Sequence, residues 1–148
     1  MRFSEAKGQK VLSTSGAATI GKVSRFVVAP TPPPARVAAL VLRKTPGDAD
    51  VLPWSGLTAF GRDAVTVESA ASFVQADGHL AVLADKDHQV LGRRVLDDSG
   101  SDLGKVVDVD FDLRTGELTT VLTDRTEIPG SAVVGLGSYA LVVRATVA

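Results

Sequence analysis

The 148 residues include no cysteine, which excludes a disulfide framework, thiolate metal sites and thiol catalysis and fits a reducing compartment. Histidine is almost as scarce. His79 and His88 are the only two; so far apart, they do not share a helix face as paired metal ligands do. Ser13, Ser15 and Ser99 have no histidine base beside them in a recognisable motif, so nucleophilic catalysis lacks its activating group. Gly135-Leu136-Gly137 is too short for a phosphate cradle and reads as a turn. The longest uninterrupted apolar run is Val37–Leu42, far below the ~20 residues of a membrane span. Met1 to Gly8 carries no apolar stretch of the signal-peptide kind, so a cytoplasmic location is expected.

Hydrophobic residues make up 45% of the chain and charged residues 22%, enough for a core and too apolar for bulk disorder. The net charge of -1 conceals an asymmetry. Residues 1–74 hold nine Lys/Arg against five acids, a balance of +4, and residues 75–148 hold seven against twelve, a balance of -5. A basic half and an acidic half imply mutual docking or two surfaces with different partners, unless they reflect drift among surface residues.

An internal repeat organises the chain. Gly8-Gln9-Lys10-Val11-Leu12 is echoed by Gly92-Arg93-Arg94-Val95-Leu96. Each run meets a turn glycine, Gly16 or Gly100, and then passes through Ile20-Gly21-Lys22-Val23 or Leu103-Gly104-Lys105-Val106. Leu52-Pro53-Trp54-Ser55 corresponds to Ile128-Pro129-Gly130-Ser131, and the copies close with Ala64–Val67 and Ala140–Val143. Both read as strings of short strands separated by Asp/Ser/Gly turns. Alternation over Val107–Asp112 predicts a half-buried strand with Val107, Val109 and Phe111 inside and three aspartates outside. Gly116 suits the left-handed position of the following hairpin turn, and Leu118–Thr123 returns as a strand. In the first copy a proline-rich stretch, Ala29 to Ala35, replaces that hairpin and predicts a stiff, extended loop. Val37–Leu42 then returns as a strand apolar on both faces, so cover on both is expected. Between the copies, Leu80, Leu83 and Lys86-Asp87 read as a short amphipathic helix capped at Asp77-Gly78.

This pattern, found twice, resembles the PRC-barrel family, over roughly residues 7–68 and 91–144. The family comprises small β-barrels named for the cytoplasmic domain of the photosynthetic reaction-centre H subunit. A similar barrel ends a ribosome maturation factor. The resemblance implies an assembly or docking module with no catalytic residues and no cofactor. The expected fold is therefore all-β: two small tandem barrels, residues 1–68 and 91–148, joined by a partly helical connector over 69–90. Packed side by side, with the connector helix over an open end, they would supply the burial that each lacks alone.

Three features are candidate partner sites. Asp108, Asp110 and Asp112 share a strand face near Asp97, Asp98 and Asp102; a solvated face, a patch for a basic partner and a hard-cation site are the three readings. Trp54 is a core or barrel–barrel contact, or a partner contact. Pro32 and Pro33 belong to a loop spacer or to a ligand for an aromatic groove. The expected function is a non-catalytic module that docks another protein or self-associates. An RNA-linked role is the alternative; it is disfavoured because no patch interleaves Lys/Arg with exposed aromatics. A small-ligand barrel is the third class, set against the tendency of small barrels to fill with side chains.

Overall fold

Two sheets with the same strand order make up the computed structural model, which describes residues 1–85 and 88–145. Strands β1 (Lys10–Ser13), β2 (Ala18–Ala29), β3 (Arg36–Arg43), β4 (Val51–Pro53), β5 (Ala59–Phe60) and β6 (Ala64–Val67) form the first, in the order β4-β3-β2-β1-β6-β5. The second comprises β7 (Arg94–Asp97), β8 (Asp102–Phe111), β9 (Leu118–Thr123), β10 (Glu127–Pro129), β11 (Val133–Leu136) and β12 (Leu141–Val143), in the order β10-β9-β8-β7-β12-β11. The opening strand of each sheet runs parallel to its closing strand, β1 with β6 and β7 with β12. The fold is all-β, two barrel-like units with a short helix between them.

Registers agree position by position. Val11 faces Gly21 as Val95 faces Gly104; Phe26 faces Leu40 as Val109 faces Val121; Val28 faces Val37 as Phe111 faces Leu118. The ladders even shift register at matching places: the long strands β2 and β8 bulge after Val23 and Val106, and their partners β3 and β9 bulge opposite Val27–Val28 and Asp110–Phe111. A bulge inserts an unpaired residue and shifts which side chains face inward. That corrects the uniform alternation read from Val107–Asp112: Val106 is buried in the core, while Val107, in the bulge, is 59% exposed.

Hydrophobic burial runs through both units as one cluster, from Phe3, Val11, Phe26 and Leu40 to Val95, Phe111, Val121 and Leu141. Phe3 stacks on Phe26 with ring centroids 4.1 Å apart, and Phe111 of the second unit meets both rings at 5.5 and 5.7 Å. The segment ahead of each unit crosses to the other. Helix α1 (Phe3–Ala6) packs on β8, and helix α2 (Gly78–Ala84) packs on β2.

Helix α2 lies on the outer face of the first sheet, where Leu83 and Ala84 meet Val27, Ala29, Ala39 and Val51. It does not close a barrel end as expected, because the apolar outer face of β2–β4 is where its own apolar side can be buried. The two-sided cover expected for β3 is present. Asp77 stands at the N-cap without a side-chain capping bond, and Lys86-Asp87 lie outside the described residues. In the second unit, register places Asp110, Thr120 and Glu127 where Val27, Ala39 and Val51 stand in the first. The second unit therefore has polar residues where the first has the apolar patch that α2 covers. The proline loop is exposed and bends at Pro32–Pro34, where the sequence predicted an extended path.

Candidate functional site

The units meet about a local twofold. The Val37 amide donates to the Gly116 carbonyl at 2.8 Å, and the equivalent Leu118 amide donates to the Ala35 carbonyl at 2.9 Å. Arg36 faces Glu117 between these two bonds. Beside this seam, Pro53 ends β4 and its fixed φ leads into a 3-10 turn, Trp54–Gly56, that sets the indole against the second unit. Trp54 is half-buried; its ring stacks with Phe60 at 5.9 Å and meets Phe111 edge-on at 6.4 Å. Gly116, at φ +79°, lies directly beneath: a Cβ there would stand 3.1 Å from the indole. Trp54 thus makes a contact between the units, and it also lines the cleft beside them.

A cleft of about 290 Å³ opens at this point. Trp54, Leu57 and Phe60 line it from the first unit and Leu113 from the hairpin of the second, with Thr58 and Arg114 exposed at its mouth. Its volume is at the lower limit for small-ligand pockets. Arg114 forms no ion pair among the described residues. Neither Leu113 nor Arg114 was among the candidate residues of the sequence. Nothing local in a turn tells which distant side chain its tip will meet.

The duplicated position shows what distinguishes this spot. Gly130 stands where the first unit has Trp54, in the matching 3-10 turn Gly130–Ala132. A Cβ at Gly130 would lie 1.9 Å from the Leu118 carbonyl oxygen, so the second unit has no space for any side chain there.

The three aspartates are divided among separate tasks. Asp108 is 8% exposed; it accepts from the Ser4 amide at 3.2 Å, from the Ser4 hydroxyl, and from the Val109 amide at 2.9 Å. This corrects the solvated face expected there: the incoming α1 covers it and replaces water with its own donors. Asp110 faces Arg2 at 3.8 Å. Asp112 is a turn residue, accepting from the Arg114 amide at 2.7 Å and the Thr115 amide at 3.3 Å. Asp97 organises the β7–β8 turn: the Ser99 hydroxyl, with the Ser101, Ser99 and Gly100 amides, holds its carboxyl below the usual 3.8. No cluster of three or more metal-ligating side chains occurs among the described residues. Pro32 and Pro33 are exposed, and His79 is an exposed residue of α2.

Residues 84–142 match the family model of the PRC-barrel domain. The second unit is a PRC-barrel domain. A search of curated proteins gave no match. Strand order, register and bulges repeat in residues 10–67, so the PRC-barrel architecture occurs twice in tandem. No helix among the described residues is long and apolar enough to cross a membrane.

Proposed function

We propose that this tandem PRC-barrel protein is a non-catalytic docking module that binds another protein in the cytoplasm. The observation that carries this reading is the cleft at the seam, where a half-buried tryptophan and an exposed arginine converge on an apolar floor. Tryptophan and arginine are the residues in which binding energy concentrates at protein interfaces. Three of the aspartates singled out in the sequence are engaged in structural bonds: Asp108 with α1, Asp112 with its own turn, Asp97 with the β7–β8 turn.

The test is capture. The full chain, biotinylated and immobilised, is exposed to nuclease-treated lysate of its native host, and retained proteins are quantified against a column carrying an unrelated all-β protein. Stoichiometric retention of a protein partner is the expected result. Retention only of nucleic acid in untreated lysate, lost steeply with salt, would replace this reading with an RNA-linked one.

A further inference from the structure

We propose that the seam cleft accepts an extended peptide segment, with an aliphatic or aromatic side chain resting on Trp54 and Leu113 and a neighbouring carboxylate paired to Arg114. This rests on the docking reading and adds the chemistry of what is docked.

Three observations converge. Five of the seven lining residues are apolar, the surface they share with Thr58 and Arg114 is half polar, and Arg114 has no ion-pair partner among the described residues. A planar guanidinium beside an apolar floor complements a carboxylate carried next to an apolar side chain, since the fork of N–H donors matches two carboxylate oxygens. Second, the wall bearing Phe60 is β5, the terminal strand of its sheet. An extended chain lying along such an edge gains main-chain hydrogen bonds, while alternate side chains enter pockets. Third, the two units diverge here more than in their frame. Trp54 is replaced by a sterically enforced glycine, Gly130, and by register the β5 residues Ala59 and Phe60 become Gly135 and Leu136. The cleft is thus built on one side of a frame that otherwise repeats. Nucleic acid fits less well, because Arg114 is the one cation among the lining residues, enough for a single carboxylate but not for successive phosphates.

The sole tryptophan makes the site self-reporting, since its emission responds to anything seated on the indole. A randomised hexapeptide library is selected on the immobilised full chain, and enriched peptides are titrated against Trp54 fluorescence. The expected outcome is enrichment of acidic residues adjacent to leucine, valine or phenylalanine. Affinity should fall at least tenfold in Arg114→Glu and stay unchanged in Arg125→Glu, an exposed arginine outside the cleft. No enrichment, enrichment of basic peptides, or equal binding by Arg114→Glu overturns the assignment. A random-sequence RNA decamer that shifts the emission when no peptide does so overturns it in favour of nucleic acid. The lysate experiment separates the two levels: a protein partner captured equally by wild type and Arg114→Glu leaves docking intact and removes the cleft, whereas capture by neither removes docking itself.

Discussion

Arg25 and Asp108 occupy the same position in the two units, and each is bound by the segment that leads into the opposite copy. Register fixes the equivalence: each follows the first bulge of its long strand, facing Val41 or Leu122. The Arg25 guanidinium donates to the Ala84 carbonyl at 2.5 Å, and Asp108 accepts from Ser4. One location thus carries a cation where the crossing segment offers an acceptor and an anion where it offers donors.

Asp108→Ala should therefore destabilise the whole protein and not merely loosen the first residues. Removing the carboxylate leaves the Ser4 and Val109 amides short of an acceptor at a site 8% exposed, a loss of about 1–3 kcal/mol. Thermal unfolding followed by circular dichroism reads this as a single transition at lower temperature. An unchanged midpoint would show that water replaces the carboxylate freely.

Gly130→Ala should be among the most damaging single changes, and Gly135→Ala, five residues on, nearly silent. The first places a methyl 1.9 Å from the Leu118 carbonyl, while the second meets nothing within 4 Å. Overpacking against backbone reaches or exceeds about 3 kcal/mol. Denaturant midpoints of the two variants, measured side by side, decide the matter.

Residues 1–74 expressed alone should not fold cooperatively. Their share of the core ends at Phe111 and the second unit's strands, and Phe3 would lose the cover of β8. A sharp unfolding transition and dispersed amide NMR spectrum from this fragment would refute mutual support. In the intact chain, Phe111→Ala should cost about 3–5 kcal/mol and shift the Trp54 emission, since the two rings touch.

Asp97 gives a pH signature. Its carboxyl titrates below 3.8 when folded, so the stability it confers is present above that value and is lost as pH falls through the lowered one. Carbon-detected NMR titration should place its midpoint below that of an unfolded aspartate, and Ser99→Ala should raise it toward 3.8 by removing the largest contributor.

Much of this fold was legible because duplication supplies an internal control. Leu52-Pro53 against Ile128-Pro129, and Gly21 against Gly104, located matching strands that neither copy alone would have announced. Leu118–Thr123 was bounded to the residue by the Gly116 turn. The aspartate strand misled because strict alternation holds only in an unbroken ladder, and no residue in Val106-Val107-Asp108 signals a bulge. The candidate site was legible only in part. Trp54 stood out as the single indole opposite a glycine in the repeat, but its neighbours Leu113, Arg114 and Gly116 come from more than fifty residues away. Likewise, the crossing of α1 onto Asp108 is a tertiary event with no sequence period to betray it.

The reciprocal pair Val37–Gly116 and Leu118–Ala35 has a consequence for how this molecule could have arisen. Two separate identical polypeptides could form the same handshake, as a symmetric homodimer. In such a homodimer, however, position 25 of one partner and position 108 of the other would be encoded by one codon, and so would the sites now held by Trp54 and Gly130. Opposite charges, and an indole in one copy where the other requires glycine, need two independent codons, so this specialisation presupposes duplication of the coding unit.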